Sequence, residues 1–414
     1  MRKRRIAFAF ALLVSLACHT AAQEAEVGVS VPVTITAGAL ETHRMQGDDP
    51  QAGTIAAAFH VTLYPTLKLG PHWFVYSALS LRSTPFYYYD AYHADRNVNF
   101  DTLQAFVGYT RTYKSASLLV KAGQLTSAFG YFPLHYDDAD NPLLDQPLSY
   151  ETLLRLRPDQ LPCGVENLLE QHEYGVNVNF ECGGSTAESY GLMPATVYGM
   201  PGIEIDLSVH KADARFQLTN SSPVNPQTLL SGSQHPQWTA GGGYTLAPGL
   251  RIGASAFQGP FLDRAVAGLL PPGTSIRNFP ATGAGLDVQW ARGRWSTSGE
   301  WQWFRFDYPN FSASPAASFA YAEVKAVLNA RTYLALRAGF QRNSRVQDAV
   351  LQSPGAFSPD RQSYELAIGY RPNRWQLVKV GYEWLKTAEV SGTRDNIVGI
   401  QLVTSIHSLS KALR

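Results

Sequence analysis

Tyr364-Glu365-Leu366-Ala367-Ile368-Gly369-Tyr370-Arg371 alternates between apolar residues and polar or small ones. Successive side chains of a strand point to opposite faces, so one face here is greasy and the other carries Glu365 and Arg371. The rhythm recurs along the chain. Ile203, Ile205, Leu207 and Val209 alternate with Glu204, Asp206 and Ser208. Leu286, Val288 and Trp290 alternate with Asp287 and Gln289, and Val378, Val380, Tyr382 and Trp384 with Lys379, Gly381 and Glu383. Tyr174, Val176, Val178 and Phe180 repeat it beside Glu173. Read this way, the chain offers eighteen strand candidates between 27–40 and 392–405. They include 173–182 and 186–198, the latter weakened by Met193-Pro194.

A soluble sandwich and a membrane barrel share this alternation. Three features favour the barrel. Many segments reach ten residues, the length a tilted strand needs to cross a bilayer. Tyr109, Tyr113, Trp238, Tyr244, Trp290, Trp295, Tyr308, Tyr370, Trp375 and Trp384 stand at strand ends, where interfacial aromatic girdles belong. The polar face carries charges and glycines, which suit a wet lumen. The fold class expected is therefore all-β, a transmembrane antiparallel β-barrel. Such barrels close with even strand numbers; 16 is predicted, with 18 as the alternative. Short turns at Gly70-Pro71, Lys114, Lys211, 247–249, Gly293, Asn329 and Pro372-Asn373 alternate with long connections, the longest being 129–172. A barrel this wide holds an aqueous channel unless a loop plugs it.

The first residues set the compartment. Arg2, Lys3, Arg4 and Arg5 precede the apolar run Ile6 to Ala17 and the small residues Thr20-Ala21-Ala22. This is the pattern of a secretory signal peptide over 1–22, leaving 23–414 as one barrel domain. The localisation expected is the outer membrane of a Gram-negative-type bacterium. After the leader, no run of apolar residues is long enough for a spanning helix. Losing four positive charges moves the formal charge from +1 to −3, so nucleic acid is not an expected partner. Cys163 and Cys182 are expected to pair in an oxidising compartment, with two free thiols as the other reading. No His-Glu-x-x-His, Cys-x-x-Cys or Gly-x-Ser-x-Gly occurs, and the histidines are scattered. An enzyme, a cofactor and a metal site are therefore not expected.

Lys121-Ala122-Gly123-Gln124-Leu125-Thr126-Ser127-Ala128-Phe129-Gly130 resembles a recurring segment of outer-membrane porins of the phosphate-selective porin O/P-like superfamily. There a cation, a small residue, Gly-Gln and then Phe-Gly precede a long loop. The resemblance implies a porin passing small hydrophilic solutes or ions by passive diffusion, a homotrimer, outer-membrane lipids around it and the barrel-assembly machinery as a partner. Phosphate specificity is not implied, because the inward charges mix both signs. The alternatives are a substrate-specific channel for sugars or small anions, and a non-channel barrel acting as an adhesin or structural protein. An outer-membrane protease, from Asp48-Asp49 and Asp137-Asp138 with His135, is the remote one. The chain departs from many such barrels in ending Ser408 to Arg414 without a terminal aromatic residue.

Two sets of residues could carry a channel. In the long connection, Asp137, Asp138, Asp140, Asp145, Glu151, Arg155 and Arg157 are candidates for a constriction, provided the loop folds into the lumen. On the wall, Lys121, Glu204, Asp206, Arg215, Arg251, Asp287, Glu300, Arg337, Glu365, Arg371, Lys379 and Glu383 are candidates to line the lumen. The alternative reading is that cross-strand ion pairs merely satisfy that wall. Phe86 to Tyr89 with Tyr92 could stack sugar rings or belong to the outer girdle.

Overall fold

A computed structural model describes residues 27–44, 55–83, 98–170, 178–186, 191–197, 199–220, 224–225, 235–309, 311, 313–347, 354–388 and 394–407. The expected leader 1–22, Asp48-Asp49, the Phe86–Tyr92 cluster, Glu173, Tyr174, Val176 and the tail from Ser408 lie outside the described residues.

Sixteen strands close into one antiparallel ring. The first runs Val27–Ser30 and continues as Val33–Arg44; the second runs Ile55–Leu63 and continues as Thr66–Leu69. Pro32 and Pro65, which have no N–H to give a ladder, mark the two interruptions. Then follow Trp73–Ser83, Val98–Thr112, Ala116–Leu125, Met200–Val209, Ala212–Thr219, Gln237–Ala247, Leu250–Pro260 and Pro280–Arg292. Trp295–Phe306, Ala316–Val327, Thr332–Asn343, Arg361–Tyr370, Gln376–Thr387 and Arg394–Ile406 complete the ring. The last strand pairs with the first, Val33 opposite Ile406, so the ring has no open edge. A small hairpin, Arg345–Gln347 with Pro354–Ala356, stands outside it. The expected short turns all occur, and Val27 and Ile406, where the described ring begins and ends, lie at the short-turn end, the periplasmic end in barrels of this type.

The period-two pattern resolves as predicted on most strands. Leu366 and Ile368 are 40% and 51% exposed on the outer face, while Glu365 and Ala367, which alternate with them, are buried inward. Ile203, Ile205, Val288, Val380 and Ile400 likewise look outward. Trp73, Tyr113, Tyr244, Trp290, Trp295 and Trp375 form an exposed aromatic belt near the short turns.

Two strand expectations are overturned. The described parts of 173–182 and 186–198 form no barrel strand; they belong to one long connection between Leu125 and Met200. Val178 and Phe180 are buried in a core inside the ring, where the Phe180 N–H donates to Gln160 Oε1. Alternation describes which side chains are apolar, and irregular chain packed on an apolar surface can satisfy it as well as a strand can. Tyr308, expected in the girdle, also faces inward and is buried; its hydroxyl donates to the Arg157 carbonyl at 2.5 Å.

Candidate functional site

The long connection enters the lumen, and its path begins at the Lys121–Gly130 motif. Beyond Leu125 the chain leaves its strand and is anchored to alternate strands along the wall. The Ala128 N–H donates to Gln217 at 2.9 Å, the Gly130 N–H to Ser255 at 3.0 Å, and the Phe132 N–H to Glu300 at 2.7 Å. Phe129 packs edge-on against Phe257 and Phe304, with ring centres 4.9 and 5.5 Å away. Gly130 adopts φ +80°, which favours glycine, and a side chain there would meet the Tyr150 hydroxyl. The motif's glycine is thus the pivot that turns the chain inward.

Segment 138–145 has no regular structure, so its peptide groups need partners from outside. The wall supplies them. Lys379, 1% exposed, donates from Nζ to the carbonyls of Asp138, Asn141 and Leu143 at 3.0, 3.3 and 2.9 Å. Tyr333 donates to the Pro142 carbonyl, Gln401 to that of Leu144 and Arg337 to that of Asp145. Glu365 accepts the N–H groups of Leu144 and Asp145 at 2.7 and 3.2 Å. On the next two strands round the wall, His60 Nδ1 meets Asp138 at 2.9 Å, and Thr36 donates to the same carboxylate oxygen at 2.7 Å. Burial raises the Asp138 carboxyl, but His60, Lys379 and Thr36 together outweigh it and hold the carboxyl below the usual range. His60 Nε2 lies 2.9 Å from Ser80 Oγ, giving an Asp–His–Ser array. All three are buried, so the array clamps loop to wall.

Farther in, the short helix Leu148–Glu151 lies against strands Ala316–Val327 and Thr332–Asn343. Tyr150 donates to Glu300 at 3.2 Å and accepts from Gln302 at 2.7 Å. Leu154, Leu156, Leu161, Leu168, Phe180 and Leu192 then build a dry core with Phe261, Phe306 and Tyr308. The Cys163–Cys182 disulfide is present, Cα atoms 4.9 Å apart, and closes the part of the loop that holds helix Val165–Leu169. In the chain-entropy model a loop of this length contributes ~3 kcal/mol.

The structure sorts the candidate residues. Of the constriction set, Asp137 and Asp140 border open space, while Asp138, Asp145, Glu151 and Arg157 are buried and Arg155 is half-buried. Arg157 forms a two-pronged pair with Asp159 at 2.9 and 2.8 Å and donates to the Val178 carbonyl. It therefore staples the loop to itself. Of the wall set, Glu300, Arg337, Glu365 and Lys379 hold the loop. Arg215 reaches the Gly130 carbonyl at 3.4 Å, and Glu383 accepts from Ser363 at 2.5 Å. Lys121 pairs with Glu204 and Asp206, and Arg251 with Asp213 and Asp287 at 2.6 and 3.0 Å. Arg371 sits exposed, one residue past its strand, at the short-turn rim. The sequence reading missed His60, Thr36, Gln217, Tyr333 and Gln401; their only signal was a polar or amphipathic residue on an inward position.

Two cavities remain at the short-turn end, on either side of Tyr131–Pro142. One of about 440 Å³ is bordered by Tyr131, His135, Asp140, Arg251, Glu323 and Lys325. The other, about 500 Å³, is bordered by Tyr64, Tyr76, Gln104, Lys121, Tyr136 and Asp137. Burial lowers the His135 imidazole below its ordinary value and raises the Asp137 carboxyl.

No family model matches the chain, and no curated protein matches its sequence. Solved structures match by fold. The outer membrane channel DcaP of Acinetobacter baumannii is 11% identical with TM-score 0.52, covering 92% of this chain and 97% of its own. OmpF of Salmonella typhi, in complex with daunomycin, is 9% identical with TM-score 0.54, covering 91% and 97%. OmpT of Vibrio cholerae, an outer membrane protein in trimer form, is 9% identical with TM-score 0.51, covering 92% and 99%. The fold of this chain, a closed barrel of sixteen strands, is thus like that of outer-membrane porins.

Proposed function

We propose that this protein is an outer-membrane channel passing small hydrophilic solutes or ions by passive diffusion, with the connection 126–199 setting its constriction. The observation that carries the reading is the sidedness of the wall. Apolar side chains face outward on strand after strand, and polar ones face a lumen that a pinned loop narrows. Nothing in such transport needs a cofactor, since the solute gradient drives it. Asp137, Asp140 and Lys121, at the open cavities, are the charges best placed to meet a passing solute. The N-terminal leader fits export, and the trimeric form of OmpT supports a homotrimer. The likeness to the phosphate-selective porin O/P-like group rests on the Lys121–Gly130 motif.

A second reading is a channel selective for sugars. It is favoured by the 500 Å³ cavity, where three tyrosine rings stand beside Asp137, Gln104 and Lys121. Ring faces with hydrogen-bonding groups around them suit a pyranose.

Single-channel recording in a planar bilayer tests the proposal. Discrete conductance steps that rise when 137–157 is deleted are expected; a purified, folded protein with no steps in either form overturns it. Liposome swelling with maltose against a neutral solute of equal size separates the two readings.

A further inference from the structure

The loop docks on the wall through buried carboxyl groups. Glu151, on helix Leu148–Glu151, is 4% exposed. Its Oε2 has no hydrogen-bond partner among the described residues. Asp145, six residues earlier on the loop, and Glu365 and Glu383 on the wall are its acidic neighbours, each buried. The strands under the helix carry Glu323 and Lys325 on one side and Arg337 on the other. Arg361 and Lys379 lie on the two strands that carry Glu365 and Glu383. These cations are largely committed elsewhere. Arg337 bonds Glu323 at 2.9 Å and Glu365 at 3.1 Å, Lys379 holds three loop carbonyls, and Lys325 stands over the Tyr333 ring. Glu151, Asp145 and Glu383 thus crowd together, and among the described residues no ion pair joins a cation to Glu151.

We propose that Glu151 docks only as the neutral acid, making the carboxyl cluster a proton-operated latch that releases the lumenal loop as pH rises. The proposal rests on the channel reading for its consequence, but not for its geometry. An ionised Glu151 in this site would be a buried charge among like charges, which is costly in a low-dielectric interior. Burial, followed by Asp145, Glu383 and Glu365, holds its carboxyl well above the ordinary range. In the released loop Glu151 meets water and ionises normally. The sign follows from linkage. Docking binds a proton, so it is favoured below the ordinary glutamate value and weakens as pH climbs toward the docked value. One proton changes the docked-to-released ratio up to tenfold per pH unit over that interval.

Hydrogen–deuterium exchange of the full-length protein in detergent reads docking directly, as protection factors for 143–157 corrected for intrinsic pH dependence. Between pH 5 and 9 these are expected to fall by more than tenfold in the wild type. Glu151→Gln, a neutral isostere, flattens the dependence and keeps protection at pH 9. Glu383→Gln, which removes a like charge, lowers the docked value, so the fall is smaller and ends at a lower pH than in the wild type. A merely structural role would lower protection at every pH in both variants, and that result overturns the proposal. Flat wild-type protection across the range overturns it too. Conductance is recorded in parallel. Protection that falls while no conductance exists refutes the channel and leaves the latch standing. Conductance with flat protection does the reverse.

Discussion

Replacing Lys379 by Met tests how the loop is held. Met keeps the length and most of the volume of the side chain but removes the three donors. In the wild type those donors serve the carbonyls of Asp138, Asn141 and Leu143. Hydrogen bonds from a charged donor contribute about 1.5–3 kcal/mol each. The buried ammonium in turn costs several kcal/mol of desolvation, which Met does not incur. Removing one side of a buried charged contact nets a loss of about 3–5 kcal/mol. Arg337, Glu365 and His60 still grip the same segment, so the lower end applies locally. About 3 kcal/mol is roughly a hundredfold in the opening equilibrium, at 1.4 kcal/mol per decade. Exchange protection at 139–145 should drop by about that factor, while strands such as Leu250–Pro260 stay protected. In bilayers the variant should show noisier and larger conductance steps. Protection within about threefold of wild type would refute the reasoning, because the three carbonyls would then be served without the ammonium.

Gly130→Ala should loosen loop insertion by about 1 kcal/mol or more, since Ala disfavours φ +80° and its methyl meets Tyr150; higher conductance in planar bilayers is the readout. Reducing the Cys163–Cys182 bond, or changing both residues to Ser, should lower loop stability by ~3 kcal/mol and expose 164–181 to protease, with the barrel band on a semi-native gel unchanged. Leu366→Arg, on the lipid-facing side, should cost roughly 2–4 kcal/mol near the midplane and reduce the folded fraction in refolding titrations, whereas Leu366→Val should not. Acidification should weaken the clamp at Asp138, because His60, Lys379 and Thr36 hold that carboxyl below its ordinary value. This contribution is present above the ordinary aspartate value and lost as pH falls through the lowered one. Asn at 138 should remove that acid-side loss of protection around Thr36 and His60.

The ring was legible residue by residue. On Arg361–Tyr370 the alternation of Leu366 and Ile368 with Glu365 is a local fact, and the face follows from it. The short turns were legible too, because Gly249 and Gly293, with φ +82° and +61°, favour conformations that announce themselves as glycine. The same signal misled at Val178 and Phe180, which alternate like a strand and yet cover the inside of a loop. The inward charges were found, but their work was not. Lys379 and Arg337 are legible as inward charges, but the sequence does not show that they donate to a backbone lying on them.

Sequence by itself determined the class of wall, since period-two sidedness depends only on neighbouring residues along one strand. It also marked Gly123 to Gly130 as the place where something long begins. Only the tertiary structure decided what the long connection does. Its anchors join positions far apart in the chain, 78 residues for Asp138 with His60 and 241 for the Asp138 carbonyl with Lys379. No local pattern encodes which inward side chain will face which peptide group. That is set when the ring closes and fixes the distance across it.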